Sequence, residues 1–204
     1  MAEWIAQQGR DLIPDREQAE TFLNCLEPEA KLFSFRTFSD SCYTLSSRGD
    51  PLELALHGSL DDCWDRLVQL NRQGAVITVT INATNGQGRT IADINRVRAL
   101  FIDDDLGGDP ARIMIKPHIW VETSQNHYHY YWLVEAFPLN EFAEYQKRLA
   151  KRYAGDLRVL ALNQSMQLPG FWRRKQVTQP RLPRLRQAAN HPSLTLQEVA
   201  GLFC

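Results

Sequence analysis

The sequence predicts an α+β domain. Strand-like alternation recurs along the chain, segments with apolar residues at helical spacing lie between the strands, and polar turns join neighbouring strands as hairpins. Strands that are joined as hairpins pair antiparallel, so the pattern favours an antiparallel or mixed sheet over a doubly wound parallel one. With 204 residues, the chain is long enough for one such domain with a substantial core.

The first 81 residues carry the patterns of two helices and two strands. Asp15 caps a helix whose apolar residues follow at helical spacing. Residues 31–40 alternate as a strand does. Ser59 caps a second helix that ends at Gly74, and the apolar run 75–81 predicts a strand.

The middle of the chain continues this alternation. A Gly-rich loop leads to a short helical turn near residues 91–94 and then to a strand that ends in acidic residues. Residues 121–134 predict two strands joined at a polar turn. Asn140 then caps a helix whose apolar side chains form one stripe.

The end of the acidic strand is the most informative feature. Residues 100–102, Leu-Phe-Ile, lead directly into Asp103, Asp104 and Asp105, and a Gly-rich turn follows. Because side chains alternate along a strand, Asp103 and Asp105 lie on one face and Asp104 on the other. Two carboxylates so close together repel each other unless a hard divalent cation lies between them. Without further signals, a solvated acidic turn explains the pattern equally well.

The strand after the next turn is dense in histidine and aromatic residues, which favour a pleated surface. Alternation places His127, His129 and Tyr131 on one face. Ser124 precedes them in the turn. A single histidine in a strand is usually a packed residue, but here it follows the acidic strand directly along the chain.

These residues resemble the archaeo-eukaryotic primase superfamily, specifically the RepB-like primases of plasmids and phages. Asp103 and Asp105 match its apolar-Asp-x-Asp motif, and the segment from Ser124 to His129 matches its serine-turn and histidine strand. Asp156 matches the acidic residue that the family carries after an intervening helix. Several motifs in the family's order are more specific than any one of them.

The resemblance continues on both sides of these motifs and covers roughly residues 32–176. The block 166–175 is similar to the family's Arg-Leu-Pro-Gly-Phe-x-x-x-Lys segment, with Gln167 in place of the arginine. Upstream, other segments also resemble family positions: Phe35 to Phe38, His57-Gly58, Leu70-Asn71, Asn82 to Arg89, and Arg98.

The resemblance implies a fold and a domain organisation. The fold is an RRM-like antiparallel or mixed sheet with flanking helices, together with an N-terminal α/β unit. A catalytic domain is expected over residues 1–176, with the N-terminal unit at about 1–74 and the metal-site unit at about 75–176. Residues 177–204 are expected to form a Pro- and Arg-rich linker and a short helix near residues 194–203.

The resemblance also implies an activity: primer synthesis by template-directed nucleotidyl transfer on single-stranded DNA, in plasmid or phage replication. Asp103, Asp105 and Asp156 would hold Mg²⁺ or Mn²⁺, and His129 would serve catalysis and bind nucleotide phosphates. Nucleotide binding is further assigned to Ser124, Arg173 and Lys175. The implied partners are the DNA template, nucleoside triphosphates, and a replicative helicase or an initiator.

The distribution of charge supports a polyanion partner although the net charge is only −1. Residues 1–65 hold 13 acidic and five basic side chains, whereas residues 146–186 hold 11 Lys and Arg against Asp156 alone. Such asymmetry is typical of a protein with one face for a polyanion. Arg173 and Lys175 lie next to Phe171 and Trp172, and aromatic rings among cations can stack on bases.

The composition also excludes several classes of protein. The four cysteines show no Cys-x-x-Cys spacing, which argues against a zinc knuckle or a disulfide framework and favours reduced thiols in the cytoplasm. No apolar run approaches membrane-spanning length, so no membrane partner is expected. The Gly-x-x-x-x-Gly-Lys pattern of a P-loop is missing from the sequence.

Two alternatives remain open. His127, His129 and Tyr145 are the residue types with which HUH-type nicking endonucleases and relaxases hold a metal and attack DNA. That alternative leaves Asp103, Asp105 and Asp156 unexplained. The other is a catalytically inactive module that binds single-stranded nucleic acid, although exposed carboxylates without a cation would weaken the binding of a polyanion.

Overall fold

A computed structural model of the chain describes residues 12–40, 49–104, 110–175, 179–189 and 191–203. Within these ranges the helices are α1 (Arg16–Leu26), α2 (Leu60–Arg72), α3 (Phe142–Arg152) and α4 (Leu196–Phe203). The strands are β1 (Phe33–Ser39), β2 (Leu54–Gly58), β3 (Ala75–Thr80), β4 (Ala83–Thr84), β5 (Ile94–Arg96), β6 (Ala99–Asp104), β7 (Ile119–Ser124), β8 (His127–Leu133), β9 (Ser165–Gln167) and β10 (Arg184–Ala188). Two 3₁₀ turns cover Ile91–Asp93 and Pro110–Arg112. The predicted α+β class is confirmed.

Polar side chains define where the first two helices begin. Asp15 caps α1 by accepting a hydrogen bond from the backbone N–H of Gln18 at 3.3 Å. Ser59 and Asp62 form a complete capping box at α2. For α3 the prediction was wrong by one residue, because Glu141 rather than Asn140 occupies the cap position and its side chain makes no capping bond.

The first sheet has the strand order β2-β1-β3-β9, with all neighbours antiparallel. One face is apolar, and α2 packs against its first three strands. Phe35, Ile77 and Val79 are buried on this face. The other face carries polar side chains such as Ser34, Arg36 and Thr78, and it borders the candidate site.

The second sheet has the order β10-β7-β8-β6 and is also antiparallel. Both of its faces are apolar over the middle of the strands. Phe22 of α1 packs edge-on against Tyr131 on one face, and Trp132 stacks on Tyr153 on the other. Polar side chains therefore appear where its strands end.

The sheets do not follow the boundary expected near residue 74. β3 and β9 belong to the first sheet, although the sequence assigned residues 75–176 to the second unit. The first sheet is thus completed by a strand from late in the chain. Backbone pairing joins Ile81 to Gln164 and Leu168 to Ile77, which fixes that strand against β3.

The tail is more structured than predicted. Residues 184–188 form an edge strand of the second sheet rather than a linker, and the backbone N–H of Leu185 donates to Gln18 of α1. The expected short helix is present as α4. In the described part of the chain, none of the helices has the length and apolar character needed to span a membrane.

Candidate functional site

The pairing of β6 with β8 places an aspartate opposite a histidine. Asp103 and His129 are register partners, and Nε2 of His129 lies 3.4 Å from Oδ1 of Asp103. Asp103 follows the buried segment 100–102, and His129 comes just before the buried segment 130–132, so both side chains lie where the core ends. The side chain of Asp103 remains 18% exposed, whereas that of His129 is 7% exposed.

Tyr131 lies behind the histidine on the same face of β8. Its hydroxyl is 3.3 Å from Nδ1 of His129. Burial, and next the charge of Asp103, raise the pKa of Tyr131 well above its ordinary value, so the phenol stays protonated. Oδ1 of Asp103 thus lies beside Nε2 and the hydroxyl of Tyr131 lies beside Nδ1, so each ring nitrogen of His129 has a polar neighbour.

Asp104 points to the opposite face, as the alternation predicts. Its side chain is fully buried and forms an ion pair with the guanidinium of Arg112, which also donates to the carbonyl of Tyr153 at 2.6 Å. Asp104 therefore ties the end of β6 to the 3₁₀ turn and to the end of α3. A buried carboxylate with an arginine partner is a structural element, and it lies away from the cleft described next.

Asp103 and His129 line an open cleft of about 970 Å³ between the two sheets. The second sheet also contributes Ser124 and the β7–β8 hairpin turn, where Asn126 has a φ of 61°. The first sheet and the segments near it contribute most of the remaining lining residues: Phe38, Val76, Thr78, Gln164, Ser165, Met166, Gln167, Arg173, Lys175, Gln179 and Arg181. The structure thus brings together Asp103, Ser124, His129, Arg173 and Lys175.

The two cations of the basic block differ in their surroundings. Arg173 is held by Asp40, whose side chain is 3% exposed and accepts from Nε at 3.0 and 3.1 Å. Arg173 also donates to Gln167 at 2.9 Å. Lys175 is exposed on the cleft. The charge of Arg173 is therefore largely balanced within the protein, and Lys175 is the more available cation.

Asp156 does not reach the cleft. Its backbone N–H donates to the carbonyl of Asp103 at 2.9 Å, but its carboxylate pairs with the exposed guanidinium of Arg158. The hydrogen bond from Arg158 is the main reason why the pKa of Asp156 is lowered below its ordinary value. The carboxylate of Asp156, which the resemblance assigns to the metal, is thus engaged by Arg158 in this structure.

Asp105 lies outside the described residues. Among those that are described, no group of three or more His, Cys, Asp or Glu side chains surrounds one point. Mg²⁺ needs fewer protein ligands than that, because it binds through one or two carboxylates together with waters and substrate phosphates. The carboxylate of Asp103 on an open polar cleft fits such an ion.

The geometry does not assemble the site of a nicking endonuclease. His127 and His129 line the cleft, but Tyr145 lies on α3, where its ring packs edge-on against Phe137 at 5.6 Å. Tyr145 is not among the residues that line the cleft. The described residues therefore lack a tyrosine from this helix in position to attack DNA bound at the histidines.

Sequence reasoning missed two contributors to the cleft. Arg181 lines the cleft, although it belongs to the tail that was predicted to be a linker. Its backbone pairs with that of Arg173 in a short β-bridge. Asp40 orders the basic block by also accepting from the backbone N–H of Arg174. The excess of basic residues in this part of the chain was a signal for Arg181, whereas no pattern in the sequence links Asp40 to residues more than 130 positions away.

Sequence comparison identifies one family. The model of the RepB DNA-primase N-terminal domain matches residues 66–200, about two thirds of the chain. No curated protein matches the chain in sequence.

Solved structures show where the same fold occurs. The chain is similar to the AEP domain of the primase-polymerase of cyanophage S-2L, with a TM-score of 0.73 and 18% identity over 94% of this chain and 99% of that one. It is also similar to the primase RepB′, with a TM-score of 0.65 and 18% identity over 87% of this chain and 57% of that one. The RepB′ catalytic domain in complex with initiator DNA gives a TM-score of 0.61 and 17% identity over 87% of this chain and 86% of that one. At these identities the likeness shows a shared fold.

Proposed function

The chain belongs to the RepB DNA-primase family, and we propose that it is a primase or primase-polymerase that makes primers on single-stranded DNA. The observation that carries the proposal is the pair Asp103 and His129 at the wall of a cleft whose other side presents Lys175 and Arg181. A carboxylate beside an imidazole suits nucleotide phosphates only if a cation neutralises the carboxylate, and the opposite basic side suits a polyanion.

We propose that Asp103 and Asp105 hold a divalent cation, Mg²⁺ or Mn²⁺. When bound, the cation would supply Lewis-acid stabilisation of charge on the transferring phosphoryl group. Asp156 would become a third ligand only if its carboxylate left the ion pair with Arg158 and turned towards the cleft. The protein's own contribution to phosphoryl transfer is positioning and charge neutralisation.

The roles of the other residues follow from their positions. His129, held in one orientation by Tyr131, would donate from Nε2 to a phosphate of the incoming nucleotide. Ser124 at the hairpin would assist it. Lys175 would contact phosphates directly, and Arg173 would do so with the guanidinium already oriented by Asp40.

A primer-synthesis assay tests the proposal. The purified chain is incubated with single-stranded DNA, Mg²⁺ or Mn²⁺, and either ribo- or deoxynucleoside triphosphates, and products are resolved by length. Template-dependent products that disappear on addition of a chelator are expected. If strand cleavage or DNA binding is found instead, without any nucleotide incorporation, the chain is a nickase or a binding module and not a primase.

A further inference from the structure

The polar face of the first sheet continues outward from the cleft. Gln167, Thr78 and Arg36 are register partners and form one row across β9, β3 and β1. At one end of the row, Gln167 accepts a hydrogen bond from Arg173. At the other end, two strand spacings or about 10 Å away, lies Arg36. We call this line of side chains the donor row.

Nitrogen donors in this row lack partners. Nε2 of Gln167 and Nε of Arg36 are both buried, and neither donates a hydrogen bond to any residue that the structure describes. Buried donors are almost always satisfied by protein, water or a ligand. An acceptor-rich partner bound along this row would satisfy both donors.

Arg36 is oriented for contact with a nucleic acid. Its guanidinium donates to Glu53 at 2.7 Å and lies over the ring of Phe38, with the central carbon 5.4 Å from the ring centre. Phe38 itself lines the cleft. The side chain of Arg36 is 36% exposed. Cations and aromatic rings side by side are the groups with which single-strand binding proteins contact phosphates and bases.

A second cation lies beside Arg36. Burial, and next the charge of Arg36, lower the pKa of Arg89, while Glu53 opposes that shift. The carbonyl of Arg89 accepts from Asn163, which precedes the cleft residue Gln164. No carboxylate among the described residues forms an ion pair with Arg89, and the carboxylate whose charge acts on it, Glu53, already pairs with Arg36.

We propose that the donor row and Arg89 bind the phosphodiester backbone of the single-stranded template and lead it into the cleft. Guanidinium groups present paired donors that match phosphate oxygens. A line of groups that runs from Arg173 along the donor row to Arg36 suits a chain of phosphates more than one compact triphosphate. The identification of the bound DNA as a template rests on the proposed function. The binding of single-stranded DNA by these residues does not depend on catalysis.

Fluorescence anisotropy with labelled single-stranded DNA tests the proposal, with Arg36→Gln and Arg89→Gln combined in one variant. About tenfold weaker binding is expected, and the slope of log affinity against log salt concentration is expected to flatten by about 1.4, because each lost phosphate contact on a single strand contributes about 0.7. The matched control combines Arg66→Gln and Arg148→Gln, two exposed arginines on helices α2 and α3. Equal affinity and slope in the test variant and the parent would overturn the proposal.

A second measurement separates template phosphates from nucleotide phosphates. At saturating template, the KM for the nucleotide is expected to be the same in the Arg36→Gln/Arg89→Gln variant and in the parent. A raised KM with unchanged DNA affinity would assign the row to the nucleotide and overturn the proposal. If the parent incorporates no nucleotide but the variant still loses DNA affinity, the binding site stands and the proposed enzyme function fails.

Discussion

The two sheets that border the cleft are built differently. The second sheet is apolar on both faces over the middle of its strands, and its functional side chains appear only at strand ends, where Asp103 and His129 meet. The first sheet keeps one polar face from β9 to β1, with Thr78 and Arg36 in one row. One wall therefore offers a few groups fixed by a rigid core, and the other offers a broad surface of donors.

The difference suggests a division of roles between the walls. Catalytic groups must be held within fractions of an ångström, and residues supported on both sides by packed aromatic rings meet that requirement. A nucleic-acid strand needs many modest contacts, which an extended polar face provides. We infer that the second sheet carries the chemistry and the first sheet holds the template.

The largest expected effect is on Asp103. Asp103→Asn keeps the size of the side chain but removes the charge that would hold a cation, so nucleotide incorporation should fall about 1,000-fold. DNA affinity and thermal stability should change little. Asp65→Asn, on the exposed side of α2, is the control. Near-normal incorporation by Asp103→Asn would place the metal site elsewhere.

A large effect on stability is expected at the other side of the same strand. Asp104→Asn leaves Arg112 without its partner and should lower the free energy of unfolding by about 3 kcal/mol, as is typical when one member of a buried ion pair is removed. Adding Arg112→Gln should recover part of the loss. Urea denaturation of the single and double variants measures both values. If the losses of the two single variants simply add, Asp104 and Arg112 are not coupled.

A smaller effect should distinguish the two cations of the basic block. Lys175→Ala should weaken template binding several-fold and flatten its salt dependence, since Lys175 is exposed on the cleft. Arg173→Ala should flatten it less, because Asp40 already balances the charge of Arg173. Anisotropy titrations at several salt concentrations compare the two variants. The opposite order would show that Arg173 leaves Asp40 when DNA binds.

The smallest effect is expected at Tyr145. Its ring packs against Phe137, and the phenol is remote from the cleft lining, so Tyr145→Phe should leave primer synthesis unchanged. Denaturing gels of reactions with DNA show whether a covalent adduct forms. An adduct or a nick that the parent produces and Tyr145→Phe does not would establish the nickase alternative.

The local features of the fold were predictable from the sequence because they depend on nearby residues. Alternation placed Asp103 and Asp104 on opposite faces, and a single polar cap marked the start of α2. Long-range pairing was not predictable. The tail strand β10 is short and rich in charged residues, and only its place beside β7 makes it a strand.

Two features of the site show the same limit. The direction of Asp156 depends on Arg158, which follows it by two residues in an irregular segment without a strand's alternation. The surroundings of Arg173 depend on Asp40, far away in sequence. The sequence singled out Asp103, His129 and Lys175, which line the cleft, whereas the ionic partners of Asp156 and Arg173 required the tertiary structure.

The division of roles between the walls is tested most directly by nucleotide incorporation on a primed template as the template concentration is varied. His129→Ala, on the second sheet, should incorporate about 100-fold more slowly than the parent at every template concentration, because a positioned donor is lost. Arg36→Gln/Arg89→Gln, on the first sheet, should be slow only at low template and reach the parent's rate at saturation. A His129→Ala variant rescued by excess template, or an Arg36→Gln/Arg89→Gln variant that stays slow at saturation, would contradict the account.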